Sequence, residues 1–123
     1  MNCEIILIVD DEVEIVNLLS RVLTRQGFEV HQANSIHDGW EVLGTIKPDV
    51  LFLDINLPDG NGLNELADIK QKFPATKVVM ISAFDMQEYR TKAQERGAYT
   101  FLSKPFNLTQ VSDLIDQIKA TEA

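Results

Sequence analysis

Ile5-Ile6-Leu7-Ile8-Val9-Asp10-Asp11 decides the fold of this chain. Five consecutive apolar residues, four of them β-branched, make a strand buried on both faces, as in the centre of a parallel sheet. The run stops on two carboxylates. Three further runs repeat the arrangement: Val50-Leu51-Phe52-Leu53 leads into Asp54, Val78-Val79-Met80-Ile81 into Ser82, and Tyr99-Thr100-Phe101-Leu102-Ser103 into Lys104-Pro105. If these strands are parallel, their polar termini meet along one edge of one sheet, where open α/β folds place their ligand sites.

Helical segments separate the strands. From Glu12 to Gln26, Ile15, Leu18, Leu19, Val22 and Leu23 form a stripe of helical spacing, and Gly27 stops it. Residues 28–33 read as a weaker, half-exposed strand. Ser35 caps a helix with Ile36, Trp40 and Leu43 inward, ending before Lys47-Pro48. Residues 57–62, Leu-Pro-Asp-Gly-Asn-Gly, read as a loop of turn formers before a helix from about Leu63 to Lys72. The helix near 86–96 has only a thin apolar stripe, Met86, Tyr89 and Ala93, and is expected to be loosely held. Asn107 with Gln110 resembles a capping box opening a last helix whose inner face is Val111, Leu114, Ile115 and Ile118. Five strand–helix alternations predict a doubly wound parallel (βα)5 sheet. The continuous runs at 5–9, 50–53 and 78–81 belong in its centre and the mixed ones at its edges, giving strand order 2-1-3-4-5.

Composition narrows the functions. A chain of 123 residues fits one domain, 1–123. Its longest apolar run is far short of the ~20 residues that cross a bilayer, and it lacks the flanks of a signal peptide. A single cysteine, Cys3, forms no internal disulfide and suits a cytoplasmic setting. Net charge −8 argues against direct nucleic-acid binding by this domain.

Asp10, Asp11 and Asp54 would crowd together above adjacent strands. Like charges in a partly shielded cleft need a raised pKa or a cation. Oxygen-only donors with room for water suit Mg²⁺. Lys104 adds a point charge and Ser82 a hydroxyl, a set able to hold and transfer a phosphoryl group. Taken singly, each has an ordinary explanation: acids complement a helix dipole, aspartate and serine form turns and caps, and Lys-Pro is common in loops. Taken together, they occupy four strand ends of the correct polarity. No G-x-G-x-x-G follows the first strand and no P-loop is present. His31 and His37 have no HExxH spacing and no cysteine partners, and Trp40 reads as core.

With these residues in view, the chain resembles the receiver domain of bacterial two-component response regulators. The resemblance is carried by VDDE (9–12), LDINLPDGNGL (53–63), ISA (81–83) and GAYTFLSKPF (97–106). It implies a flavodoxin-like receiver fold. It also implies that Asp54 accepts a phosphoryl group from a histidine kinase or histidine phosphotransfer protein in a Mg²⁺-dependent reaction. Asp11, Asp54 and the backbone carbonyl of Asn56 would coordinate the metal directly, with Asp10 acting mainly through water. Lys104 would pair with the acceptor and then the phosphoryl group, before a cis Lys104–Pro105 peptide. Ser82 would move toward the new oxygens, and Phe101 would fill the space it leaves. Many relatives carry tyrosine at this position, so a readout through a hydroxyl is not available to Phe101.

The resemblance implies a switch that phosphorylates and dephosphorylates itself, with no outside substrate, and that regulates a downstream protein or output domain. Pairing of two copies on phosphorylation is one form the output can take. No output module follows the last helix, so the chain reads as a stand-alone receiver or as one domain of a longer regulator or hybrid kinase. Two other classes fit these residues less well. A haloacid-dehalogenase phosphohydrolase requires D-x-D after the first strand, where this chain has adjacent acids. A flavodoxin-type flavin scaffold requires a phosphate-binding loop there, and two carboxylates would repel the phosphate.

Overall fold

Alternation along three central strands builds two cores at once. In the computed structural model, which describes residues 5–84 and 86–122, β1 (Ile5–Val9), β3 (Val50–Asp54) and β6 (Lys77–Ser82) are flanked by β2 (Glu29–Ala33) and β7 (Thr100–Ser103). All pairings in this five-stranded sheet are parallel, in the order β2-β1-β3-β6-β7. Successive side chains point to opposite faces. Ile6, Ile8, Val50, Phe52, Val79 and Ile81 therefore enter one apolar cluster, while Leu7, Val9, Leu51, Leu53, Val78 and Met80 enter another. Residues such as Ile6, Leu7, Phe52 and Val79 are 0% exposed, as continuous apolar runs require when both faces are covered.

Five helices supply the cover. α1 (Val13–Arg25) and α5 (Leu108–Glu122) place Val16, Leu19, Leu23, Val111, Leu114, Ile115 and Ile118 on the first cluster. α2 (Ile36–Ile46), α3 (Gly62–Lys72) and α4 (Gln87–Glu95) close the second with Leu43, Leu63, Leu66, Ile69 and Ala93. α4 buries only Ala93, and Met86 before it is 49% exposed, in keeping with its thin stripe. Ser35 Oγ accepts the Asp38 N–H (3.1 Å) at the start of α2. Asn107 and Gln110 cap α5 reciprocally: each side-chain oxygen accepts the other's backbone N–H, at 2.8 and 2.9 Å. Trp40 packs on the second cluster and donates its ring N–H to Glu65 (2.8 Å).

One stretch is more ordered than its sequence suggests. Residues 57–62 read as an irregular loop, yet β4 (Asn56–Leu57) and β5 (Gly60–Asn61) pair antiparallel across the turn Pro58-Asp59. These two-residue strands account for the numbering of the sheet order; set aside, they leave the expected 2-1-3-4-5. The turn is clasped to α2, because Asp59 accepts the N–H groups of Ile36 (2.8 Å) and His37 (2.9 Å). Those donors are orphans of a helix start, so the bonds also hold the Asp59 carboxyl below its usual range. Cys3 lies outside the described residues.

Candidate functional site

The strand order reverses between β1 and β3, and the crevice above that reversal holds the site. Asp10 leaves the end of β1 with its N–H donating to Ala33 O (3.1 Å). Its Oδ1 accepts the Glu12 N–H (2.8 Å), which fixes the carboxylate beneath the start of α1. Asp54 ends β3, where its Oδ1 accepts the Asn56 N–H (3.2 Å). The next residue is anchored on both sides: Ile55 N–H donates to Ile81 O (3.0 Å) and Gly62 N–H to Ile55 O (2.7 Å). A Cβ at Gly62 would collide with the Asp54 carbonyl oxygen, so only glycine allows the chain to close this tightly behind the carboxylate.

Lys104 comes from the far edge. Its N–H donates to Ser82 O (2.8 Å), it precedes a cis peptide to Pro105, and its side chain crosses to β1 and β3. Nζ lies 3.1 Å from Asp54 Oδ2, 3.0 Å from Asp10 Oδ2 and 2.6 Å from Glu12 Oε1. Burial and the neighbouring Asp10 carboxylate push the Asp54 carboxyl from 3.8 up to about 6, against the pull of Lys104 and the Asn56 N–H. Burial works to lower the Lys104 pKa, but its contacts with Glu12 and Asp10 and the charge of Asp54 outweigh this and raise it. The cleft is thus short of positive charge despite its lysine.

Carboxylate oxygens of Asp10, Glu12 and Asp54 lie within 4.8 Å of one another. Asp10 is 1% exposed, and among the described residues its Oδ2 faces the Lys104 ammonium at 3.0 Å and makes no hydrogen bond. A buried anionic oxygen without a donor is costly, and a hard cation is the partner that its chemistry fits. Asp11 is exposed and stands outside this trio. It lines, with Asp10, a cleft of about 440 Å³ between the start of α1, the end of β2 and α2. A second grouping, His37, Asp38 and Glu41, is exposed throughout, and His37 is paired with Glu41 at 3.2 Å.

Ser82 closes β6 at 0% exposure, one residue past the Asp54–Ile81 pair. Its Oγ accepts the Phe84 N–H (2.9 Å), and no hydrogen bond among the described residues joins it to Asp54. Phe101 is half-buried on β7 beneath the Arg90 guanidinium, 4.7 Å from the ring centre, and Arg90 also donates to Ser103 Oγ (2.9 Å). The structure therefore brings Asp10, Asp54 and Lys104 together, with Asp11 at the rim, Ser82 close behind and Phe101 on the neighbouring face. Sequence reasoning gave Glu12 no role. The available signal was its place before a helix: glutamate is a poor cap where Ser, Thr, Asp or Asn is preferred.

An acidic crevice at the switch point of a 2-1-3-4-5 sheet, bridged by a lysine, marks the ligand site of a doubly wound α/β domain of the flavodoxin-like kind. The family of the response regulator receiver domain matches residues 6–116, and the chain belongs to it. Receiver domains are signalling domains of two-component systems, controlled by phosphorylation, and they bind Mg²⁺ at an acidic pocket. Response regulator protein PilR of Pseudomonas aeruginosa is 36% identical over 109 residues, covering 89% of this chain and 24% of PilR. Regulatory protein AtoC of Escherichia coli is 32% identical over 112 residues, covering 91% of this chain and 24% of AtoC. This chain thus spans about a quarter of the length of those two relatives. Chemotaxis protein CheY of Thermotoga maritima is 30% identical over 114 residues, covering 92% of this chain and 95% of CheY. The solution structure of the beryllofluoride-activated NtrC4 receiver domain dimer superposes with a TM-score of 0.90 at 29% identity, covering 97% of this chain and 98% of that one.

Proposed function

We propose that Asp54 accepts a phosphoryl group from a histidine kinase or a histidine phosphotransfer protein, and that the acyl phosphate resets the face built by α4, β7 and α5. The reading rests on one observation: Lys104 draws Asp54 and Asp10, remote in sequence, into a single buried ion-paired cleft. A carboxylate oxygen of Asp54 attacks phosphorus, the P–N bond to the donor histidine breaks, and its electron pair stays on the imidazole, which takes a proton. Asp10, Asp11, Asp54 and the backbone carbonyl of Asn56 would hold Mg²⁺. Bound there, the ion would supply the positive charge that the carboxylates lack and that the developing phosphoryl oxygens need. Lys104, beside the acceptor at 3.1 Å, would take up a phosphoryl oxygen.

Ser82 would release the Phe84 N–H and donate its hydroxyl to a phosphoryl oxygen, drawing the 82–84 backbone inward. Phe101 would then shift from beneath Arg90 into the space vacated, with no hydroxyl to report at the surface. The recipient of this change is a downstream protein or an output domain of a longer chain, and two receivers can pair, as the NtrC4 receiver does. Net charge −8 argues against DNA contact by this domain itself. No helix among the described residues is long and apolar enough to cross a membrane, and we assign the domain a cytoplasmic setting. Incubation with acetyl phosphate and Mg²⁺ should add one phosphoryl mass to the protein and none to Asp54→Asn. Retention of the adduct by that variant refutes the acceptor, and multiple-turnover release of phosphate from small esters points to a phosphohydrolase instead.

A further inference from the structure

Glu12 stands where a cap belongs and does not act as one. It holds the N-cap position of α1, yet its side chain makes no capping bond; only its carbonyl serves the helix, accepting the Val16 N–H at 3.1 Å. The carboxylate instead reaches Lys104 Nζ at 2.6 Å, shorter than either contact of that ammonium with the buried acids. The helix start does not account for this residue. Lys104 does.

From this geometry we infer that Glu12 is a releasable clamp on Lys104, which must let go before a phosphoryl group on Asp54 can be held. The inference rests on the Asp54 reading above. Three carboxylates surround this ammonium, Glu12 and Asp54 accepting hydrogen bonds from it and Asp10 facing it as an ion pair at 3.0 Å. A phosphoryl group brings three acceptor oxygens and close to two negative charges into the same cleft, so one present partner of Lys104 must give way. Asp10 and Asp54 are buried and fixed by the Glu12 and Asn56 N–H groups. The Glu12 side chain is 57% exposed, so water is at hand to solvate it on release. Glu12 is accordingly the partner that leaves, and its hold on Lys104 works against the phosphorylated state. It is a positioning residue, acting through Lys104.

The test uses beryllofluoride as phosphoryl mimic, titrated calorimetrically at saturating Mg²⁺ into wild type, Glu12→Ala and Glu12→Asp. Loss of an exposed ion pair that opposes binding should tighten beryllofluoride by about fivefold in Glu12→Ala. Glu12→Asp keeps the charge but is one methylene too short for the contact, so it should tighten similarly. A second titration, with Mg²⁺ alone, separates a clamp from a metal ligand: the clamp predicts Mg²⁺ affinity near that of wild type in both variants. Beryllofluoride binding that is unchanged or weaker in Glu12→Ala overturns the inference. So does an Asp variant indistinguishable from wild type, which would reduce Glu12 to background charge, and so does loss of Mg²⁺ affinity in Glu12→Ala. In each of those cases wild type still binds the mimic and the Asp54 reading stands. If wild type binds none, both fall together.

Discussion

Replacing Asp54 by asparagine should stabilise the metal-free protein at neutral pH, although it removes the residue on which the proposed chemistry depends. The Asp54 carboxyl titrates at about 6 in the fold against an ordinary value of 3.8, raised first by burial and then by Asp10. At about 1.36 kcal/mol per pH unit, that interval corresponds to roughly 3 kcal/mol against the ionised form. The crevice opens to water, and screening reduces the working figure to ~1.5 kcal/mol. The sign follows from proton binding. Below 3.8 the carboxyl is protonated in both states and its contribution is fully present; between 3.8 and about 6 the folded state binds the proton more tightly, so stability falls as pH rises; above about 6 the loss is complete. Asparagine retains the shape and an oxygen for the Asn56 N–H, and never ionises. Urea unfolding of both proteins with chelator present, from about pH 4 to about pH 8, should show a gap that opens from near zero to ~1.5 kcal/mol in favour of the variant. Equal stability at pH 7, or a gap that does not change with pH, refutes the reasoning.

Three further outcomes follow from the same geometry. Mg²⁺ at about ten times its dissociation constant should stabilise the wild type by ~1.4 kcal/mol in thermal melts, and Asp10→Ala should abolish the effect. Lys104→Met strands Asp10 and Asp54 together without a cation, so metal-free stability should drop by about 1–3 kcal/mol at pH 7 and recover on acidification, as read by urea titration. Gly62→Ala drives a methyl into the Asp54 carbonyl and should cost about 1–3 kcal/mol; since the same backbone carries Asn56, calorimetric Mg²⁺ affinity should weaken with it.

Strong local signals made most of the architecture legible. Unbroken runs such as Val50 to Leu53 fit only strands covered on both sides, and the pairing Asn107/Gln110 or the cap Ser35 fixed helix starts through single hydrogen bonds. The pair β4–β5 escaped because two-residue strands have no periodicity; Asn56-Leu57 and Gly60-Asn61 are held by a turn and by Asp59 bonding to a distant helix start. At the site, the strand-end acids were visible because parallel strands must share an edge. Which acid turns inward was not. Asp10 and Asp11 are adjacent and chemically identical, and only the bond from Glu12 N–H to Asp10 Oδ1 and the direction of α1 separate a buried carboxylate from an exposed one. Glu12 was missed for a related reason: its partner lies 92 positions away, beyond any local pattern.

The central sheet also divides the molecule's history. Leu19 and Ile115 share one apolar compartment, while Leu66 lies in the other, with a layer of backbone between them. Volume lost at Leu19 can be refilled from α5 but not from α3, so epistasis should run within each side and fade across it. A lineage can thus rework the helices facing one partner and leave undisturbed those that face another.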